Sequence, residues 1–302
     1  MCIRDRTRGF PEKGGRHGDD GLKIGRDGMQ PIEEFVNLAV TNKKPFFLWY
    51  GVFLPHTPHN PPERLLRPYQ NLGLPPPLAK YYANCTWFDE TCGKLIEILE
   101  KRNLLDDTLI VYVADNGWIN RTDKSGYAPR SKQTPYEGGV RTPIMFSWPN
   151  GGLKNGRRPD VISSIDLFPT VLAATGSRVP DELPGLNLMK SLESAKPIKR
   201  KRIFGESFAH DIADLENPEA SLLFRWSIEG KWKLLLTYDG EVNRYQSTHP
   251  REEKRPQLFN LLEDPKEEKN FAAQHPKVVA RLASKIYDWW PVEERKVLTR
   301  WE

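Results

Sequence analysis

Six consecutive apolar residues, Leu109 to Ala114, run without a break into Asp115-Asn116-Gly117. The run is short, β-branched and aromatic-rich, which predicts a strand buried on both faces, as in a parallel sheet. In open α/β sheets, ligands gather outside the carboxyl ends of such strands. A carboxylate and an amide oxygen placed there are hard donors suited to Ca2+ or Mg2+, and Gly117 permits a sharp turn. Asp-Asn-Gly is also good chemistry for a plain Asx turn, and turns far outnumber metal sites, so the tripeptide alone favours the turn.

The segments around this strand extend the α/β reading. Ile32, Phe35, Val36 and Ala39 have helical spacing behind Pro31, a residue suited to the first turn of a helix. Phe46 to Leu54 predicts a second buried apolar strand, ending in Pro55-His56-Thr57-Pro58-His59-Asn60-Pro61-Pro62. Clustered prolines forbid helix or central strand there, so two histidines lie on a loop at a strand's carboxyl end. Tyr81, Cys85, Phe88, Cys92, Leu95 and Leu99 form the apolar stripe of a helix leading to the strand at 109, one βαβ unit. Val140 to Trp148 predicts a third buried strand broken by Thr142-Pro143. A helix then opens at Asp166, its N-cap, with Pro169 in the first turn and Gly176 past its end.

From about Ile203 the texture changes. Leu222–Ile228, Glu229-Gly230 and Lys231–Tyr238 predict an antiparallel hairpin, and Pro256–Leu261 another short strand. Val278, Val279, Leu282, Ile286 and Trp289 mark a last helix. Hairpin strands followed by a helix indicate an α+β part beside the α/β part.

Composition excludes several classes. The 302 residues carry 45 basic and 40 acidic side chains, a mild excess of +5 with no basic block long enough to argue for nucleic acid. Lys199-Arg200-Lys201-Arg202, the densest cluster, reads as a solvated linker beside a proline. No stretch approaches the roughly 20 apolar residues of a membrane span. Three cysteines form no paired framework, and Cys85 and Cys92 suit core packing. Residues 1–6 are charged and are no signal peptide, and residues 7–28 are rich in Gly, Arg and Asp with almost nothing to bury.

Three polar clusters lie at or near predicted strand exits: His56 with His59, Asp115 with Asn116, and the stretch Arg130 to Arg141. The last combines Lys132, a Gly138-Gly139 pair for close backbone approach, and a Glu137/Arg141 pair read as holding that turn. Oxygen ligands, a cation and a histidine together suit an anionic ester.

Several motifs in order resemble the type I sulfatases, of arylsulfatase and alkaline-phosphatase-like kind. They are Pro45–Tyr50 leading into Leu54-Pro55-His56-Thr57-Pro58, Asp115-Asn116-Gly117, and Lys132 before Tyr136-Glu137-Gly138-Gly139-Val140-Arg141-Thr142-Pro143. Asp166-Leu-Phe-Pro-Thr170 and Leu258–Leu261 with Asp264-Pro265, Glu267 and Asn270 complete the set. The resemblance runs from about residue 28 to the last helix. It implies a partial alkaline-phosphatase-like parallel sheet with flanking helices, plus a smaller C-terminal α+β subdomain. The implied division is an irregular start over 1–28, part of the catalytic α/β domain over 29–197, and an antiparallel sheet with a helix over 198–302.

The resemblance also implies hydrolysis of a sulfate ester, of a sulfated glycan or aryl sulfate, at a Ca2+ site. Asp115 and Asn116 then look like two calcium ligands, Lys132 like the lysine on the sulfate, and His56 like the histidine at the leaving group. His59, Arg130 and Trp118 are the candidate substrate contacts. The family's formylglycine nucleophile arises in a C/S-x-P-x-R motif, and none occurs here; Cys2-Ile3-Arg4-Asp5-Arg6 lacks the proline. Asp19-Asp20 sits in a Gly-rich loop and does not replace the family's upstream metal aspartates. The expectation is therefore a chain lacking the N-terminal portion, inactive alone, from a periplasmic or secreted enzyme. Alternatives are a phosphodiesterase or phosphonate hydrolase of the same superfamily, and a non-catalytic glycan-binding relative. Oligomeric state and the particular sulfate ester are not readable.

Overall fold

A computed structural model describes residues 23–209, 216, 218–238 and 255–292. Cys2 and Asp19-Asp20 lie outside the described residues. The chain divides into two units, residues 1–108 with 120–126, and residues 109–119 with 127–302. No helix among the described residues is long and apolar enough to cross a membrane.

The first unit holds helices α1 (Gln30–Thr41), α2 (Glu63–Asn71) and α3 (Pro76–Glu100). Ile32, Phe35 and Val36 are buried on one face of α1, where the i, i+3, i+4 spacing placed them. With Met29 and Ile98 they form a core against which Ile24, Phe46, Leu48 and Tyr50 pack. The extended segment 46–54 was expected to be a strand buried on both faces. It instead makes no ladder, and its residues alternate: Phe46, Leu48 and Tyr50 face the core, while Phe47 and Trp49 are 60% and 64% exposed. An apolar run fixes extension and burial potential, but pairing needs a neighbouring strand that no other described segment supplies.

Helix α3 runs for 25 residues as the stripe implied, yet its deepest positions are Ala79, Ala83, Asn84, Thr91, Ile98 and Leu99. Tyr81, Cys85, Phe88 and Cys92 are half-buried instead, while Leu99 of the stripe is buried as implied. Burial pushes both the Cys85 and Cys92 thiols up, which lowers their thiolate fraction.

In the second unit, β1 (Ile110–Val113) pairs antiparallel with β2 (Ile144–Ser147), with Ile110 opposite Ser147 and Val113 opposite Ile144. This corrects the expected parallel sheet: among the described residues every ladder between named strands is antiparallel. Of the expected third strand, Val140 to Trp148, only the stretch forming β2 is a strand; Val140 ends a single helical turn, α4 (Glu137–Val140), and residues 141–143 belong to neither. Helices α5 (Leu167–Ala174) and α6 (Met189–Ser194) follow. Gly176 ends α5 at φ +71°, the left-handed stop its position implied.

Asp166 stands at the N-cap position of α5 as expected, but its side chain makes no capping hydrogen bond there. It is fully buried and accepts from the N–H groups of Ser163 (2.8 Å) and Leu186 (2.7 Å) and from the Arg200 guanidinium. Arg200 and Arg202 are therefore not part of a solvated linker. Arg202 pairs with Glu229, and Lys199 and Lys201 alone point outward. The alternation of an extended chain, with every second residue turned inward, accounts for the split.

Strands β3 (Ile203–Phe208), β4 (Leu222–Glu229), β5 (Trp232–Thr237) and β6 (Gln257–Asn260) form one antiparallel sheet in that order. The β4–β5 hairpin turns through Gly230 at φ +58° and Lys231, one residue beyond the expected turn. Helix α7 (Pro276–Trp289) covers one face, burying Leu282 and Ile286 against Leu234, Leu236 and Leu258. Arg225, fully buried on β4, donates to the Tyr238 hydroxyl (2.6 Å) and to the Trp290 carbonyl, with Tyr287 and Trp290 rings over its guanidinium. The opposite face carries Trp226, Leu235 and Phe259 and packs on Tyr136.

Breaking a buried ion pair by deleting one partner costs about 3–5 kcal/mol, because the other charge stays buried. Asp166→Ala is expected to lose stability on that scale in urea denaturation. A loss below about 1 kcal/mol would show that Arg200 finds water once released.

Candidate functional site

In the second unit three glycines bring two loops into backbone contact. A Cβ on Gly117 would lie 2.2 Å from the Gly138 carbonyl oxygen, and one on Gly139 would lie 2.3 Å from Thr134 O and 2.4 Å from Ser131 O. No side chain fits in that space. The Gly117 N–H donates to Gly139 O (2.8 Å) and the Ile119 N–H to Ser131 Oγ (2.6 Å). Asp115-Asn116-Gly117 is thus seated on the Gly138–Gly139 turn.

The turn chemistry of this tripeptide is real: the Asn116 N–H donates to Asp115 Oδ1 (2.8 Å), and Asn116 Nδ2 donates to Gly117 O (3.0 Å). These bonds engage Asp115 Oδ1 and Asn116 Nδ2 and do not use Asn116 Oδ1 or Asp115 Oδ2. Lys132 enters the same neighbourhood. Its ammonium stands 5.8 Å from the centroid of the Trp118 ring, which in turn meets Tyr127 edge-on at 5.2 Å. Burial lowers the Lys132 pKa, and the nearby Asp115 charge partly restores it. Asp115, Asn116, Trp118 and Lys132 are therefore brought together, as expected of a site.

Arg130 is engaged elsewhere. Its guanidinium lies 4.6 Å from the centroid of the Tyr136 ring and donates to the Glu267 carbonyl. Arg130 and Gln133 have φ of +57° and +64°, left-handed values that cost energy for side chains with a Cβ. Glu137 holds the Gly-Gly turn as expected, but not through Arg141, whose side chain is exposed. Its partner is Lys233 (2.9 Å), fully buried on β5 and 2.9 Å from Glu267 as well. Glu267 Oε2 accepts from the Glu137 N–H (2.5 Å). Its Oε1 lies within ion-pair distance of Lys233 but off the hydrogen-bond direction, so the attraction there is Coulombic.

His56 and His59 belong to the first unit, on the proline loop. The peptide bonds before Pro55 and Pro58 are cis. His56 Nδ1 lies 2.9 Å from the Thr57 carbonyl oxygen, which can only accept, so Nδ1 carries the proton and Nε2 the lone pair in the neutral ring. His59 packs against Tyr81 at 5.5 Å, and burial lowers its pKa, with repulsion from His56 adding to the effect. The loop is clamped by Arg26, from the stretch expected to bury almost nothing. Its guanidinium donates to the carbonyls of Phe53, His56 and Pro58 at 3.3–3.5 Å and lies 5.2 Å from the Trp87 ring centroid. Buried Asn84 of α3 also donates to Pro58 O (3.4 Å).

Sequence reasoning missed Arg26, Asn84, Ser131 and Lys233. Lys233 alone carried a signal: a lysine at an inward-facing position of an otherwise apolar strand, Trp232–Leu236.

Asp115 and Asn116 offer the right donor chemistry for Ca2+, but that ion takes six to eight oxygens. No group of three or more His, Cys, Asp or Glu side chains suited to a metal occurs among the described residues. The fit is in kind and not in number.

Two family patterns match the chain: sulfatase over residues 26–177, and the C-terminal part of N-sulphoglucosamine sulphohydrolase over residues 129–290. Among curated relatives, arylsulfatase K of Mus musculus is 29% identical over 209 residues, 69% of this chain and 34% of that protein. The N-acetylgalactosamine-6-O-sulfatase of Bacteroides thetaiotaomicron is 24% identical over 257 residues, covering 80% of this chain and 46% of the relative. A solved putative sulfatase from Bacteroides fragilis superposes with a TM-score of 0.68 at 22% identity, covering 89% of this chain and 58% of the other. The chain spans about a third of the length of the first of these relatives.

Gly139→Ala pushes a methyl group into two carbonyl oxygens and is expected to cost about 1–3 kcal/mol. Faster exchange of the Gly117 amide should accompany the loss. Unchanged stability would mean that Gly139 is not packed against the Ser131 and Thr134 carbonyls.

Burial holds the Glu267 carboxyl above its ordinary value of 4.5, with Lys233 pulling it down. A carboxyl raised in the folded state binds its proton more tightly there than in the unfolded chain. Its contribution to stability therefore weakens as pH rises through the window just above 4.5. The stability difference between wild type and Glu267→Gln should fall across that window, measured by denaturation at stepped pH. A difference independent of pH would contradict the raised value.

Proposed function

The chain belongs to the sulfatase family, and on that premise we propose that it carries the calcium- and sulfate-binding loops of an enzyme hydrolysing a sulfated glycan or aryl sulfate. The observation that supports this most is Lys132, an ammonium half out of water beside Asp115 and over Trp118, on a loop seated by three glycines. A desolvated cation attracts an anionic oxygen more strongly than one in bulk water.

In this reading Asp115 and Asn116 are two of the oxygen ligands of Ca2+, which when bound supplies positive charge facing the ester's sulfate. Lys132 binds a sulfate oxygen and steadies charge on the bridging oxygen as the ester bond lengthens. His56 is assigned to the leaving group by family resemblance. As imidazolium it holds a proton at Nε2, while Nδ1–H remains on the Thr57 carbonyl. Trp118 contributes aromatic surface to the substrate, and Arg130 acts through Tyr136 and Glu267.

No C/S-x-P-x-R motif occurs in the 302 residues, so this chain has no formylglycine precursor of its own. Incubated with Ca2+ and 4-methylumbelliferyl sulfate, the purified chain should release no fluorophore. A sulfated disaccharide should bind in calorimetry, with binding abolished by Lys132→Met and by Asp115→Asn. Lys132→Met should leave the melting temperature unchanged or raised, since it removes a desolvated charge. Turnover by the pure chain, or binding that survives both substitutions, would overturn the proposal.

A further inference from the structure

Lys233 is the largest unexplained cost in the second unit. Its side chain is 0% exposed on β5, between Glu137 and Glu267, whose side chains are 11% and 1% exposed. Two carboxyl groups thus face one lysine in a place largely removed from water. Well-packed apolar residues in place of all three side chains would be as stable or more so, because desolvation offsets much of the attraction in a buried ion cluster. Stability alone does not account for the arrangement.

Its geometry does. The three charges come from three separate segments: the first turn of α4, the start of β5, and the loop after β6. The Glu137 N–H donates to Glu267 Oε2, so the start of α4 is gripped at both main chain and side chain. Beside it the Tyr136 hydroxyl donates to Gln257 Oε1 (3.0 Å) and its ring meets Phe259 at 6.0 Å. Arg130 closes the frame by donating to the Glu267 carbonyl. Directly after Glu137 come Gly138 and Gly139, the surface on which Gly117 rests without room for a methyl group. A shift of the turn is thus passed to Asp115 and Asn116 with nothing compressible between.

We propose that Lys233 and Glu267 are positioning residues for Asp115 and Asn116, with the buried Glu137–Lys233–Glu267 cluster fixing the Gly138–Gly139 turn that seats them. The metal role of those two residues rests on the function proposed above; the mechanical coupling does not. The C-terminal sheet is on this account part of the site's construction, although none of its residues touches substrate.

The test uses the full chain and the Lys233→Met and Glu267→Gln variants, read by residue-resolved hydrogen exchange and by Ca2+ titration. The Gly117 and Ile119 amides are expected to exchange about tenfold faster or more in either variant, while β4–β5 ladder amides keep their protection. Asp166→Ala serves as a control, destabilising the same unit without selective loss at Gly117. Ca2+ affinity should fall together with the Gly117 protection. If Lys233→Met does not fold, Glu267→Gln reads the same amides. Gly117 protection equal to wild type, or lost only in step with the ladder, would overturn the proposal. Selective exchange at Gly117 in a chain that takes up no Ca2+ would uphold the coupling and overturn the metal reading instead.

Discussion

A single ammonium, that of Lys233, lies where the second unit can least tolerate an unpaired charge. Trp226, Leu235 and Phe259 share its face of the four-stranded sheet, so a lysine charge there depends on carboxyl partners. Glu137 and Glu267 are drawn to it from segments 130 residues apart. Hydrophobic contact is non-directional and tolerates sliding; a hydrogen-bonded charge in a dry interface does not. What the charge fixes is a backbone turn, and the turn is useful because glycine permits another backbone to lie on it.

The first unit solves a related problem by the same means. Prolines at 55, 58, 61 and 62 remove N–H donors from the histidine loop while leaving every carbonyl in place. Such a loop has more acceptors than donors and cannot satisfy itself through a ladder or helix. Arg26 makes up the deficit, its guanidinium meeting three carbonyls while its flat face lies near Trp87. Asn84 supplies one more donor from α3. In both units the loops bearing candidate residues are thus held by buried or half-buried donors rather than by regular secondary structure.

That division explains what could be read from the residues in order. Helix α1, the β4–β5 hairpin, β6 and α7 follow from local periodicity and turn chemistry, and each lies within a residue or two of its expected place. Asp115, Asn116, Trp118 and Lys132 were legible as a group because they cluster within one stretch of chain. Pairing was not legible: the apolar runs at 46–54 and 109–114 look alike, yet one makes no ladder and the other pairs antiparallel. Arg200 looked like one more linker charge, since its partner Asp166 is 34 residues away. Partners of this kind are set by tertiary proximity, which no local pattern encodes.

The charge balance around Lys132 has a consequence for the proposed chemistry. Without a bound cation, Asp115 and Lys132 attract one another, so Asp115 spends part of its field on the lysine. A cation held by Asp115 and Asn116 would redirect that carboxylate and leave Lys132 with no nearby anion. An anionic ester then meets an ammonium already stripped of part of its water and of its counter-charge. Cation and sulfate binding are on this argument linked with positive sign, each raising affinity for the other by the same factor. The linkage depends on where Asp115 is held, because Coulomb attraction falls with distance and is stronger in a partly dry site than in bulk water. Rigid seating of the Asp115 loop on glycine is therefore an electrostatic requirement of the site as well as a matter of packing.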